Sequence, residues 1–370
     1  MEIRRTLLSY DEQAIFALRS LYARYGYERY KMNRFEEYDL YVRNKDFLVS
    51  DEIITFTDRS GRLLALKPDV TLSIIKNAPD ASGVVQKVYY NENVYRADGA
   101  HAFREIMQSG LESIGDLTDY DVAEVVLLAA KSLALISDRF VLDLSHMGLV
   151  SAALAGSGLS PAGQEEALTC LKQKNSHDLQ SLCQAEGVSG DLLLALVDCC
   201  GGPEAVLEAL APRMDTPALQ APFRQLRELW MLLSEAGFGQ QVQIDFSLCN
   251  DLKYYSGVVL QGYLEGVPAC VLSGGQYDAL LRKMGRKSHA IGFALYTDLL
   301  ERLEQKEEAY DVDTLILHDG TCGAAALARA VEAAAESGSV LVAVAAPEGK
   351  RWRRLITLKN GEAAANENNG

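Results

Sequence analysis

Arg104, Gln108 and Glu112 stand four residues apart in the segment FREIMQSGLES, which follows a Val- and Tyr-rich run from Val84 to Arg96, VVQKVYYNENVYR. Side chains along a strand alternate between faces, so residues separated by multiples of two project from one side. The two runs read as strands around the turn Ala97-Asp98-Gly99-Ala100, the second beginning near Phe103. A guanidinium, an amide and a carboxylate then share one face, with Ile106 and Gly110 between them. Such a trio, with a glycine leaving space beside it, suits a small zwitterionic ligand. The solvated face of an edge hairpin shows the same alternation, and period alone leaves both readings open.

Positioning that trio requires a folded scaffold, and the composition provides for one. At 370 residues the chain can bury a substantial core and form two or three domains. Its 48% hydrophobic and 24% charged content is that of an ordinary soluble globular protein. No apolar run approaches the roughly 20 residues that span a bilayer, so no membrane partner is expected. The start, MEIRRTLLSYDEQ, lacks the sustained apolar core and cleavage site of a signal peptide. The seven cysteines are scattered apart from Cys199-Cys200 and form no CxxC pair, which argues against structural zinc and for a reducing cytoplasm. With a net charge of −15 and no basic block, a nucleic-acid partner is not expected either.

Taken in order, the chain reads as α+β. Asp11 to Tyr25 is an amphipathic helix stopped by Gly26, and Tyr27 to Phe35 is extended. Ile53–Arg62 and Leu63–Thr71 form a hairpin turning at Asp58 to Arg62, after which Asp69 could cap a helix from Thr71 to Lys76. Tyr120 to Ser137 is helical, Val141 to Leu144 is a strand, and His146 at its end reads as a satisfied structural residue. From 150 to 235 the chain turns Ala/Leu/Glu/Gln-rich with Gly and Pro punctuation, the texture of four or five short helices. Gln241–Leu248 and Val258–Tyr263 are strands; Tyr254, Tyr255 and Tyr277 beside them read as packing residues with polar tips. His289–Leu300 is a strand and helix, continued by charged residues into a linker. Thr314–Leu317, Ala324–Glu336, Val340–Ala345 and Leu355–Leu358 then alternate strand, helix, strand, strand, and the polar 362–370 is expected to be disordered.

Tyr95-Arg96, the turn and Phe103 to Glu112 resemble motif 2 of the class II aminoacyl-tRNA synthetases, specifically the histidyl family. GYERYKMNRFEEYDLY, from Gly26, resembles motif 1 without its proline, Asn33 standing near that place; this implies a homodimer. NDLKYYSG from Asn250 and LSGGQYDAL from Leu272 resemble the two histidine-specific signatures, and His289–Leu300 resembles motif 3. The resemblance implies an antiparallel sheet flanked by helices, built from 1–149 and 236–308 and interrupted by a helical insertion, 150–235. A small, incomplete α/β segment, 309–361, and the tail 362–370 complete it. It also implies a histidine pocket. Asp69 and Thr71 stand where the family keeps a glutamate and a threonine near the bound amino group, and a carboxylate pairs well with ammonium. Arg96, Gln108 and Glu112 come from motif 2; Tyr254 and Tyr255 would close over the imidazole, with Tyr277 beside it. A tyrosine hydroxyl can bond an imidazole nitrogen in either direction.

The same comparison shows losses. The nucleotide-binding arginine of motif 3 is Leu299 here, and the arginine opening the first signature is Asn250. The motif 2 turn is shortened to Ala97-Asp98-Gly99-Ala100-His101. Activation by ATP needs cations around the phosphates, so these losses argue against adenylation. A retained histidine pocket without activation machinery resembles the regulatory subunits of ATP phosphoribosyltransferase, a family of histidyl-synthetase paralogues. That resemblance implies no catalytic residue, no metal and no cofactor, with histidine as effector. It implies a short catalytic phosphoribosyltransferase chain as partner, which needs the subunit for activity and for feedback inhibition, and a homodimer within a larger hetero-oligomer. A divergent histidyl-tRNA synthetase and an orphan histidine-binding relative are the alternatives.

Overall fold

Helix α1 (Tyr10–Arg24) starts at Ser9, whose N–H donates to the Glu12 carboxylate at 3.0 Å, half of a capping box. The computed structural model describes residues 8–45, 53–97, 102–249, 254–303, 310–359 and 362–366. After α1 come β1 (Glu28–Arg29), β2 (Phe35–Glu37), α2 (Tyr38–Val42), β3 (Thr55–Thr57), β4 (Leu63–Leu66) and α3 (Thr71–Asn77). Strands β2, β4 and β3 make a small antiparallel sheet in that order. Lys67, just past β4, is fully buried and pairs with Glu92 at 2.5 Å, while its carbonyl accepts from Tyr95 N–H. The small sheet is thereby tied to the long hairpin, since a buried cation is tolerated only with its counter-charge in contact.

That hairpin is β5 (Val85–Ala97) and β6 (Phe103–Gly115), in unbroken register from Val85 opposite Gly115 to Ala97 opposite Phe103. Its turn, 98–101, lies outside the described residues. There follow α4 (Asp119–Ile136), β7 (Phe140–His146), α5 (Met147–Gly156), α6 (Pro161–Lys172), α7 (Ser176–Glu186) and α8 (Asp191–Asp198). Next are β8 (Cys200–Gly201), α9 (Pro203–Leu210), α10 (Pro217–Glu235), β9 (Val242–Asp245), β10 (Val258–Leu264) and β11 (Leu272–Gln276). Helix α11 (Asp278–Lys283), β12 (His289–Tyr296) and a 3-10 segment, Thr297–Leu303, complete the larger of two compact units, which divide at Glu304 and Gln305.

Among the described residues the main sheet has nine strands, ordered β1-β5-β6-β12-β11-β10-β7-β9-β8. Pairing is antiparallel from β5 to β7, and parallel where β1 meets β5 and β9 meets β7. One face carries Leu111, Phe293, Leu260 and Leu144, packed with Leu18 and Tyr22 of α1, Val125 and Ala129 of α4, and Leu226 and Leu229 of α10. The other face carries Val88, Tyr90 and Ile114, packed with Ile74 and Ile75 of α3 and Leu280 and Leu281 of α11. No helix of the described residues is long and apolar enough to cross a membrane.

The helical stretch differs from the expectation of four or five short helices. Among the described residues it holds six, α5 to α10, and α10 runs for 19 residues straight through Pro222. A proline inside a helix removes one backbone bond and crowds the preceding turn. Burial of Leu219, Phe223, Leu226, Leu229 and Leu233 along one face outweighs that loss. These helices share the sheet's hydrophobic cluster and form no core of their own. His146 is satisfied as expected: Nε2 meets Gln225 Oε1 at 2.7 Å, and Nδ1 accepts from Gly148 N–H at 3.1 Å. The segment after β12 is 3-10, not α-helical as expected from the sequence.

The smaller unit holds β13 (Val312–His318), α12 (Ala324–Ala335), β14 (Val340–Ala343), β15 (Trp352–Lys359) and β16 (Glu362–Asn366). Its sheet order is β14-β13-β15-β16, parallel except for β16, around a core of Ile316, Ala334, Ile356 and Leu358. Residues 362–366, expected in a disordered tail, instead pair with β15. Without them β15 would offer a row of unpaired backbone groups, and backbone pairing does not need the apolar side chains that the composition lacks. In the larger unit, Leu111→Ala is expected to lower stability by about 2–5 kcal/mol, because its side chain is fully buried between sheet and helices. The urea midpoint of the purified variant measures this.

Candidate ligand pocket

On the face of Val88, Tyr90 and Ile114, a cleft of about 310 Å³ opens over β6, β12, β11 and β10. Its floor is made of small residues brought together by register: Gly110 opposite Ala294, Ala294 opposite Ser273, and Gly292 opposite both Glu112 and Gly275. The close approach demands glycine. A Cβ at Gly292 would sit 1.7 Å from Glu112 Oε2, and one at Gly110 would sit 2.5 Å from the Tyr90 hydroxyl.

Three elements supply the polar walls. The link from β4 to α3 brings Asp69 and Thr71. Asp69 Oδ1 accepts from Leu72 N–H at 2.8 Å, so the capping role raised by the sequence is realised while the same side chain lines the cleft. The β5–β6 hairpin brings Arg96, Gln108 and Glu112. Arg96 Nε donates to Pro68 O at 3.3 Å, and Gln108 is buried opposite Glu92 on one side and Tyr296 on the other. The third wall holds Tyr254 and Tyr255, with ring centroids 4.7 Å apart, and Tyr277, 5.9 Å from Tyr254. Glu112 ties the walls together: it accepts from Thr71 Oγ1 at 2.8 Å and from Tyr277 Oη at 2.5 Å.

All eight residues proposed from the sequence, Asp69, Thr71, Arg96, Gln108, Glu112, Tyr254, Tyr255 and Tyr277, line this one cleft. Arg104 does not. It shares the face of Gln108 and Glu112, as its spacing requires, but stands exposed opposite Arg96, so the guanidinium of the cleft is that of Arg96. Sequence reasoning missed Tyr90, Gln261, Ser273 and Tyr296, which also line it. Their strand period is visible in the sequence, but which strands are neighbours is not. Leu299 is partly buried against the main hydrophobic cluster, whereas Asn250 lies outside the described residues.

Burial dominates the electrostatics. It pushes the Glu112 carboxyl up to about 8, with the bonds from Tyr277 and Thr71 opposing the rise and the charge of Asp69 adding to it. Asp69 is raised by burial too, against the bond from Leu72 and the charge of Arg96. Tyr277 and Tyr254 are held well above the ordinary phenol value, first by burial and then by neighbouring acids. Two buried carboxyls facing one guanidinium form a site that a cationic group on a ligand would neutralise.

The architecture is that of a class II synthetase core, and the family model for histidyl-tRNA synthetase matches residues 8–300: the chain belongs to that family. A relative named ATP phosphoribosyltransferase regulatory subunit, from Clostridium acetobutylicum, is 27% identical over 350 residues, 90% of this chain and 83% of that one. The crystal structure of an ATP phosphoribosyltransferase regulatory subunit/histidyl-tRNA synthetase from Bacillus halodurans C superposes with a TM-score of 0.73 at 24% identity, covering 92% of this chain and 90% of that one. A chain of the ATP phosphoribosyl transferase (HisG:HisZ) complex from Thermotoga maritima does so with a TM-score of 0.63 at 19% identity, covering 78% of this chain and 97% of that one. Both structures share the fold.

Burial raises the Glu112 carboxyl from its ordinary value near 4.5 to about 8, so between those values the folded chain is expected to hold a proton that the unfolded chain releases. Stability of the ligand-free protein is therefore expected to fall as pH rises from about 4.5 to 8, by on the order of several kcal/mol. Urea midpoints across that range should decline steeply for the wild type and more shallowly for Glu112→Gln, which carries no titrating proton. Gly292→Ala is expected to lower stability by about 1–3 kcal/mol, because the added methyl overpacks against the Glu112 carboxylate; thermal unfolding of the purified variant measures it.

Proposed function

We propose that this chain is the regulatory subunit of an ATP phosphoribosyltransferase, acting in the first step of histidine biosynthesis and carrying no catalytic residues itself. The observation behind this reading is the convergence of an acid, a guanidinium and a second buried acid on one amino-acid-sized cleft. Histidine satisfies all three. Its ammonium meets Asp69 and Thr71, its carboxylate meets Arg96 and Gln108, and its imidazole meets Glu112 and Tyr277 beneath Tyr254 and Tyr255. Among the described residues, the position at which a synthetase would hold the nucleotide with an arginine carries the apolar Leu299, packed against the core, and this counts against an ATP site.

The partner is a short catalytic phosphoribosyltransferase chain, and the subunit is a homodimer within a larger cytoplasmic hetero-oligomer. Regulation then follows from linkage. If histidine binds the inhibited assembly better than the active one, the same coupling energy biases the catalytic chains toward inactivity. The relatives' names and the solved two-component complex support this reading.

The test is reconstitution. The purified chain should restore activity to a short catalytic phosphoribosyltransferase, and histidine should suppress it. Arg96→Ala and Glu112→Ala should still activate but need at least tenfold more histidine for inhibition, as expected when one partner of a buried charged group is removed. Robust histidine-dependent exchange of pyrophosphate into ATP by the chain alone would instead make it a synthetase.

A further inference from the structure

Among the cleft residues that the histidine reading leaves unused, Tyr296 stands at the Gln108 end. Tyr296 is the last residue of β12, directly across from Gln108, and its ring lines the cleft. The cleft floor beside it is Ala294 and Ser273, both small, so Tyr296 is the large side chain that ends this stretch of floor. The ring is braced: its hydroxyl and Ser273 Oγ are 3.1 Å apart. Its backbone is braced as well. Tyr296 N–H donates to Val271 O at 2.8 Å, and the next residue, the fully buried Thr297, donates through Oγ1 to Met107 O at 3.3 Å. Strands on both sides thus fix the root of the side chain.

We propose that Tyr296 is the residue that limits this site to a free amino acid, standing beside the ligand's carboxylate and blocking any sizeable group attached to that carbon. The inference rests on the histidine reading above, in which the carboxylate lies at Arg96 and Gln108. An ester, amide or phosphate anhydride built on the carboxylate would have to extend past Gln108 toward its cross-strand neighbour. The wall there is a braced aromatic ring, and the polar groups beside it, Ser273 and Gln261, are already engaged with Tyr296 and Tyr263. The cleft, at about 310 Å³, is at the small end for ligand sites, which fits an amino acid and little more. Tyr296 is a specificity determinant acting by exclusion, and its hydroxyl serves to hold the ring in place.

Calorimetric titration of the full chain with histidine, histidine methyl ester and histidine benzyl ester tests this. The two esters lack the same charge, so their ratio reports size alone. The wild type should bind the methyl ester at least tenfold more tightly than the benzyl ester. Tyr296→Phe should retain most of that ratio, and Tyr296→Ala should reduce it at least tenfold; Tyr296→Leu, a milder change, should give an intermediate ratio even if the alanine variant does not fold. Histidine binding by the wild type with the same ester ratio in every folded variant overturns the role of Tyr296 and leaves the histidine reading intact. A wild-type chain that binds neither histidine nor either ester overturns both.

Discussion

Removing a carboxyl group from water is costly unless donors or a counter-charge compensate, and a group compensated only in part keeps its proton. Glu112 is in that position. Two hydroxyls reach it, from Thr71 at the head of α3 and from Tyr277 at the head of α11, and among the described residues no ion pair to it is formed. Those two bonds join three pieces of chain far apart in sequence, so the geometry of the cleft depends on them. They also leave the site unfinished electrostatically. Burial favours the protonated form of Glu112 in the ligand-free protein, and positive charge placed beside it would favour the carboxylate.

The nine-stranded sheet makes that arrangement possible by its order more than by its size. Strand β12 lies between β6 and β11, so the floor is a patchwork of three strands whose glycines and alanine coincide in register. Small residues at those crossings let a carboxylate, a row of tyrosines and a bound molecule share space that ordinary side chains would fill. The opposite face is heavily packed by α1, α4 and α10, and this supports the floor from behind. Firm placement matters for any selective site, since a site that adapts to any ligand discriminates poorly.

The relation to the synthetase family can be described in the same physical terms. Glu112, Thr71 and Tyr277, the groups proposed to face an amino acid, are buried and support one another. A group that serves only a nucleotide stands at the periphery of this network. Replacing an arginine by Leu299 there adds apolar contact to the core. An apolar residue at that position is therefore compatible with the fold.

Much of this was legible in the sequence because period-2 alternation and helix caps are local. The β5–β6 hairpin, the shared face of Gln108 and Glu112, the capping by Asp69 and most helices follow from neighbours within a few residues. The family likeness extended that reading to Tyr254, Tyr255 and Tyr277. What the tertiary structure decided is everything that depends on which strands are adjacent. Arg104 stays outside the cleft, Tyr296 stands across from Gln108, Pro222 is carried inside a long helix, and residues 362–366 complete a sheet edge. Each of these outcomes was set by contacts between segments distant in sequence, whose energies local propensity does not contain.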